Sequence, residues 1–433
     1  MMYRVKLKRV LQGESCSWIR LSAYALLGWV IASIGLQLYF NPSSRSWLDP
    51  QYWTALKKVG ESMRLAEANY YDSNKSSFEK LTKLAISGMT QSLDRHSAYY
   101  DSSEFHHFEE NMHMRYAGIG IKIRSGEEGI LITRVFKNSP ANEVGLLAGD
   151  HILEADNHLL TGLNIDEAGE IIRGEPDTLV SLKIRGLDGR DRLCSVLRKK
   201  IELSSVDKWW VDKNKTAYLK VSQFTQRTQI EVEEALQSIQ ALGASCLILD
   251  LRDNGGGLLD SAVEVAGYFL NPRETVVSLR GRSPDKNRIH KPSSVRDPLG
   301  IPMVVLINQG SASGAELLAG ALSKHGRAKL VGETSYGKGS VQSIYQMSDD
   351  SGLRLTTAKY YLPDDSTIHE KGIDPDYLVE CSDEDAAKLS TQNDLLRTLD
   401  KNQTESLLGF ALLADKQLHK AIEVVWGSLI RQN

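Results

Sequence analysis

The sequence predicts an α/β protein with helical ends and one N-terminal transmembrane helix, and three observations carry that expectation. Between residues 201 and 380, apolar strand-like runs alternate with amphipathic helical stretches, the pattern of a largely parallel sheet covered by helices. Residues 103–200 instead hold short strand-like runs punctuated by Gly and Asn. Residues 21–44 carry no charge at all, and 21–40 are mostly apolar; about 20 such residues span a bilayer as a helix.

At 433 residues the chain is too long for one compact core. Its 41% hydrophobic and 25% charged content is that of an ordinary folded protein, and a net charge of -3 offers no basic excess for nucleic acid. No nucleic-acid partner is expected. Arg4, Lys6, Lys8, Arg9 and Arg20 precede the apolar run, against Glu14 alone. The positive-inside rule therefore assigns 1–20 to the cytoplasm and 21–40 to a single-pass anchor in the cytoplasmic (inner) membrane. The bulk of the chain is then expected on the periplasmic, or extracytoplasmic, side. A cleaved signal peptide is the competing reading, but 31–40 offers no small-x-small cleavage site. Cys16, Cys194, Cys246 and Cys381 are scattered without metal-ligand spacing, so no disulfide is expected, and Cys246 reads as a small core residue.

Each segment has its own pattern. In 45–102, Leu56, Val59 and Met63 fall at helical spacing, and 81–93 continues that character. In 103–200 the strand-like runs are 118–124, 129–136 and 179–185. From 201 to 380 the order is strand 216–221, helix 227–242, strand 246–251, helix 258–270, strand 303–308 and helix 315–325. The stretch 271–299 is polar and rich in Pro, Arg and Ser, an expected exposed excursion. In 381–433, amphipathic helices are expected at 395–399, 407–413 and 422–430.

Three short motifs carry chemistry. The strand 303–308 runs into Gln309-Gly310-Ser311-Ala312-Ser313-Gly314-Ala315-Glu316 and then a helix. A serine at a helix start sits where free N–H groups favour developing negative charge, and the Gly314 N–H can serve an oxyanion beside Ser313. The bland alternative is an ordinary N-cap serine. Lys338 stands between Gly337 and Gly339, with room to turn inward. A lysine that loses water has a lowered pKa and becomes a usable base, which arginine does not; the alternative is a solvated turn lysine. Finally, Asp250-Leu251-Arg252-Asp253-Asn254-Gly255-Gly256-Gly257 follows a strand, and its glycines allow close backbone approach to a ligand. A plain strand-to-helix turn is its alternative.

Several other readings are weighed and set aside. Gly332-x-x-x-x-Gly337-Lys338 nearly matches a phosphate-binding loop, but position 339 is Gly where a Ser or Thr is needed for magnesium. His106, His107 and His113 lie among Glu109 and Glu110 without metal-ligand spacing, so solvated helix residues are the better reading and no metal or other cofactor is expected. No Gly-x-Ser-x-Gly elbow occurs, which argues against a Ser–His–Asp hydrolase.

Taken together, Asp-Leu-Arg-x-Asn-x-Gly-Gly, Gly-Ser-Ala-Ser-x-x-Glu, Thr-x-x-Gly-Lys-Gly-x-Val-Gln and Lys371-Gly372-Ile373-x-Pro375-Asp376 resemble the carboxy-terminal processing (tail-specific) proteases. Earlier motifs agree, including Ser92-Leu93-Asp94-x-His96-Ser97 and Tyr116-x-Gly118-Ile119-Gly120-Ile121. That family is a group of serine–lysine peptidases with a PDZ domain inserted beside a ClpP/crotonase-like core. The resemblance implies Ser313 as nucleophile, Lys338 as base, Gln342 as the residue orienting the lysine, and Gly314 with Gly256 as oxyanion donors. It implies a helical region at 45–102, a PDZ domain at 103–200, a protease core at 201–380 and a helical region at 381–433. Two departures stand out: Gly314-Ala315 where Ala-Ser is commoner, and Asp177 where the PDZ loop usually has Gly.

The PDZ reading also has a physical basis. Gly118, Ile119, Gly120 and Ile121 offer backbone N–H groups to a carboxylate, and the strand after them can accept a peptide as an added strand. The expected function is a membrane-anchored serine endopeptidase that recognises protein substrates by accessible apolar C-termini and cleaves through a Ser313–Lys338 acyl-enzyme. An adaptor protein and a second copy, joined through the terminal helices, stay open as partners. The rivals are a catalytically inactive, membrane-tethered PDZ scaffold and an acyl-CoA enzyme of crotonase type. The intact polar positions argue against the first and the lysine–glutamine pair against the second.

Overall fold

The computed structural model describes residues 49–112, 117–126, 128–201, 204–293 and 298–432. The chain divides into two compact units, 1–89 and 90–433. In the first, α1 (Pro50–Asn69) starts on Asp49, whose side chain accepts the Gln51 N–H at 2.8 Å, with Pro50 at the first helical position. Both features favour a helix start. No residue of α1 is buried, and Trp53, Leu56 and Val59 stand exposed. α2 (Phe78–Gln91) follows. Among the described residues no helix is long and apolar enough to cross a membrane. This corrects the single-pass localisation expected from the sequence; the segment 21–40 on which it rested lies outside the described residues.

The second unit begins with β1 (Ala98–Tyr100), α3 (Ser102–Met112), β2 (Ala117–Gly118), β3 (Ile121–Ser125), β4 (Ile130–Val135), α4 (Pro140–Glu143), β5 (His151–Ala155), β6 (His158–Leu159), α5 (Ile165–Ile172), β7 (Leu179–Arg185), β8 (Asp191–Leu197) and β9 (Lys199–Lys200). An antiparallel sheet runs in the order β3-β4-β5-β7-β8. Alternate strand residues point inward: Ile130, Ile132, Ile152, Val180, Leu182 and Ile184 close a separate core with Ala168 and Ile172 of α5. A capping box between Asn164 and Glu167 starts α5. Asp177 adopts φ +62° and donates its N–H to the Arg198 carbonyl at 2.8 Å. The left-handed turn that usually takes Gly is thus kept with Asp, one of the few residues that tolerate it.

The larger core contains β10 (Val206–Val211), β11 (Thr216–Val221), α6 (Thr228–Ala241), β12 (Cys246–Asp250), α7 (Leu259–Ala266), β13 (Val277–Gly281), β14 (Arg288–His290), β15 (Met303–Ile307), α8 (Gly314–Lys324), β16 (Lys329–Gly332), β17 (Ser340–Gln346), β18 (Gly352–Tyr361) and β19 (Tyr377–Leu378). After them come α9 (Asp383–Leu395), α10 (Lys401–Leu408) and α11 (Lys416–Gln432). The main sheet is ordered β10-β11-β12-β15-β16-β19 and is parallel from β11 onward. A parallel sheet covered on both faces needs apolar residues throughout, and β12 and β15 are buried at every position. Leu247, Leu249, Val305 and Ile307 pack with residues of α6, α7 and α8, while Ile248, Val304 and Leu306 pack with Ala421, Val424 and Val425 of α11. Each such side chain contributes about 1.5–3 kcal/mol on burial.

A second, antiparallel sheet runs β1-β18-β13-β14, with β17 also on β18. The stretch 271–299 supplies two of these strands and buries Val276 and Val277, so it is not simply an exposed excursion. The helices expected at 395–399 and 407–413 are displaced: α9 ends at Leu395 and α10 at Leu408. The β3–β4 sheet meets α9, where Lys122 pairs with Asp394 at 2.7 Å and Arg124 donates to Thr391 at 3.1 Å.

Candidate active site

Two loops at the carboxyl ends of β12 and β15 are tied together residue by residue. Ser311 Oγ donates to the Leu251 carbonyl at 2.8 Å, Ala312 N–H to the Asn254 carbonyl at 2.9 Å, and Asp253 N–H to Asn308 Oδ1 at 2.9 Å. Loops at that end of a parallel sheet are the usual place for a site in an open α/β fold. Ser313 then turns the chain into α8 with φ +53°, a strained conformation that a non-glycine residue keeps only when its surroundings enforce it.

The enforcing group is Glu316, fully buried in the first turn of α8. Its Oε2 accepts the Ser313 N–H at 2.8 Å and the Lys338 N–H at 2.9 Å; its Oε1 accepts the Gly337 N–H at 2.7 Å and the Ser335 hydroxyl at 2.6 Å. The glycine-flanked loop that nearly matches a phosphate-binding motif therefore wraps a carboxylate of its own chain. Sequence reasoning quoted Glu316 without giving it a role. The Ser-x-x-Glu capping-box spacing was the signal that marks it.

Gly256 lies against the serine. A Cβ built on it would fall 2.7 Å from Ser313 Cβ and 3.0 Å from Gly314 N, with φ at +98°. Only glycine fits there. Its N–H donates to Asn254 Oδ1 at 2.9 Å, whereas the N–H groups of Gly257 and Gly314 have no partner among the described residues.

Lys338 is half-buried. Burial pushes its pKa below the ordinary lysine value, the neighbouring Arg354 guanidinium pushes the same way, and Glu316 opposes them. Gln342 sits on β17, where its amide donates to Ser340 Oγ at 3.0 Å and Thr356 Oγ1 at 3.4 Å. Among the described residues no hydrogen bond joins Ser313 Oγ to Lys338 Nζ, or Gln342 to Lys338. The backbones of Ser313 and Lys338 are brought together on Glu316 Oε2, and among the described residues no hydrogen bond links the three side chains.

The segment 94–97 lies over the lysine loop. Asp94 accepts the N–H groups of His96 and Ser97, the Arg95 guanidinium stands 4.9 Å from the centre of the Tyr336 ring, and Arg354 donates to the His96 carbonyl at 2.8 Å. Burial, then Arg95 and Lys338, lower the His96 pKa. Beside the site opens a cleft of about 750 Å³ lined by Leu258, Leu279, His290, Val341 and Ala358 among others.

The candidate peptide residues run from β2, which among the described residues pairs with β9 alone, into the first residue of β3. Gly118 pairs with Lys199, Ile119 is buried, Gly120 has φ +79°, and Ile121 opens β3 opposite Val135. β3 is the edge strand, with α5 packed against it. Of the histidines weighed as metal ligands, His113 lies outside the described residues, and among those described no cluster of His, Cys, Asp or Glu could hold a metal ion.

Residues 215–379 match the model of peptidase family S41, and 131–186 match a PDZ domain. A carboxy-terminal-processing protease of Bartonella bacilliformis is 38% identical over 310 residues, 70% of this chain and 70% of that protein. The carboxy-terminal processing protease CtpA of Bacillus subtilis is 32% identical over 327 residues, 75% of this chain and 69% of that one. Among solved structures, a photosystem II D1 C-terminal processing protease superimposes with a TM-score of 0.48 at 24% identity, covering 80% of this chain and 97% of that one.

Proposed function

The chain belongs to the S41 family of carboxy-terminal processing serine proteases, and from that premise we propose that Ser313 is its nucleophile and Lys338 its general base. The observation that carries this reading is the shared carboxylate: Glu316 holds the backbone of both residues within hydrogen-bond reach of one oxygen. Catalytic hydrogen bonds often tighten only when substrate binds. The Ser313 Oγ–Lys338 Nζ contact is proposed to close in the substrate complex.

Neutral Lys338 takes the Ser313 hydroxyl proton as Oγ bonds to the scissile carbonyl carbon. The oxyanion so formed is held by Gly314 N–H together with a donor of the Gly256–Gly257 pair. Gly256 must release Asn254 to serve, whereas Gly257 is already unpartnered among the described residues. Collapse breaks the C–N bond, and the proton on Lys338 passes to the departing amine. Water then hydrolyses the ester, giving a proton to Lys338, which passes it to the departing Ser313 Oγ and so returns to its neutral form. We assign Gln342 to orienting the lysine.

Substrates are proteins. We further propose that their apolar C-termini add to the free edge of β3, with Gly118, Ile119, Gly120 and Ile121 receiving the carboxylate, and that the cleft beside the site takes the chain to be cut. The reading divides the chain into a PDZ domain over 103–200 and a ClpP/crotonase-like core over 201–380, flanked by helical regions at 45–102 and 381–433. An unstructured protein ending in apolar residues, incubated with wild type and with Ser313→Ala, tests the nucleophile. Cleavage by wild type alone supports it, and equal cleavage by both refutes it.

A further inference from the structure

The loop that carries Gly256 is anchored from the far end of the chain. Arg252 lies two residues past the end of β12, and its side chain is only 12% exposed. Its Nε donates to Asp250 Oδ1 at 3.0 Å and its Nη2 to Asp250 Oδ2 at 2.6 Å. The other side of the guanidinium meets the start of α11: Nη1 donates to Asp415 Oδ1 and Nη2 to Asp415 Oδ2, each at 3.0 Å, and Nη1 also reaches Gln417 Oε1 at 3.1 Å. Tyr218 OH completes the cluster on Asp250 Oδ2 at 2.7 Å.

Asp415 is itself fixed, because its Oδ1 also accepts the Leu418 N–H at 2.9 Å and so caps α11. Gln417 donates in turn to the Val379 carbonyl at 2.9 Å. Burial alone would raise the Asp250 carboxyl, but Arg252 holds it well below the usual carboxylate range, so the cluster is ionic. A fork gripped on both edges by carboxylates is fixed in plane as well as in position, which a lysine would not be.

We infer that Asp415 is a positioning residue of the active site, acting through Arg252 on the loop that presents Gly256 to Ser313. The inference rests on the catalytic reading of Ser313. Asp415 touches no reacting atom. It sets where the Arg252 backbone lies, and Asn254 and Gly256 follow within four residues, bonded to the Ser313 loop through Ala312. The C-terminal helix is thereby part of the catalytic apparatus although it contributes nothing to the cleft.

Full-length wild type, Asp415→Asn, Asp415→Glu and Ser313→Ala are compared for kcat and KM on one unstructured protein substrate, with thermal midpoints and the rate at which a fluorophosphonate labels Ser313. Displacing an oxyanion donor or misplacing reacting groups costs about 10²-fold. Asp415→Asn should therefore lose about that factor in kcat and in labelling rate, with KM within about 3-fold. A merely structural role would lower the midpoint and leave kcat per labelled, folded enzyme unchanged, and that result overturns the inference. Should Asp415→Asn not fold, Asp415→Glu carries the test, since it keeps the charge but moves the carboxylate by one methylene against the Arg252 fork. A drop in its kcat without a change in KM supports the inference, and an unchanged kcat overturns it. Activity in Ser313→Ala would instead sink the catalytic reading itself, whatever Asp415 does.

Discussion

Ser313 and Lys338 donate their backbone N–H groups to one and the same oxygen, Glu316 Oε2, at 2.8 and 2.9 Å. The two residues are 25 positions apart in sequence and belong to different loops, so a single buried carboxylate gathers the proposed nucleophile and base into one site. Glu316→Gln turns one acceptor into an amide donor facing other N–H groups. A buried donor left unpaired costs about 1–3 kcal/mol. The expected outcome is a protein less stable by about that amount in urea unfolding, with cleavage reduced at least about 10²-fold by misplacement of the pair. Full activity would show that the carboxylate does not assemble the site.

Gly256 has no room for a side chain. With Ser313 Cβ at 2.7 Å and Ala312 O at 2.8 Å from an added Cβ, Gly256→Ala must push the serine loop away. Activity should fall below detection in a peptidase assay, while circular dichroism keeps its wild-type shape.

The pH dependence follows from Lys338. The proposed reaction needs its neutral form. Burial first, and Arg354 second, lower its pKa, so turnover should rise with pH along a limb whose midpoint lies below that of an ordinary lysine. Arg354→Gln removes one cation, which stabilises the protonated lysine and moves that limb to higher pH. A limb that stays put, or moves to lower pH, contradicts the assignment of Lys338 as the base.

Capture of a substrate C-terminus should depend on Gly120, where an added Cβ would lie 2.3 Å from Ser139 Cβ. Gly120→Ala is expected to weaken binding of an apolar C-terminal peptide at least about 10-fold in fluorescence anisotropy, because a side chain in this left-handed turn shifts the carboxylate loop. Undiminished affinity would place peptide recognition elsewhere.

What the sequence disclosed depended on whether the signal was local. Met303–Ile307 and Gly314–Lys324 were legible within a residue, since a fully apolar strand followed by a small-residue helix start has few other solutions. The motifs holding Gly256, Ser313 and Lys338 are equally local, and the structure brings Gly256 against Ser313 and the Ser313 and Lys338 backbones onto Glu316. α9 and α10 were misplaced because they lack a strong apolar stripe. Their signals are caps: Ser382 accepting the Asp385 N–H, the capping box of Asp400 and Gln403, and Gly409 with φ +70°. β13 and β14 hid in a polar stretch because they are short, with Val277 the one fully buried residue of the two strands. The membrane anchor rested on composition alone, and no helix of the described residues supports it. The Arg252–Asp415 contact joins residues 163 positions apart, a pairing that no local pattern reveals.

The most direct test of the serine–lysine unit is the turnover of Ser313→Ala, Lys338→Ala and the double variant on one protein substrate. Residues that act as one unit show non-additive losses. Each single variant should lose at least about 10³-fold in kcat, and the double variant should lose no more than either alone. Near-normal turnover by Lys338→Ala would contradict the mechanism outright.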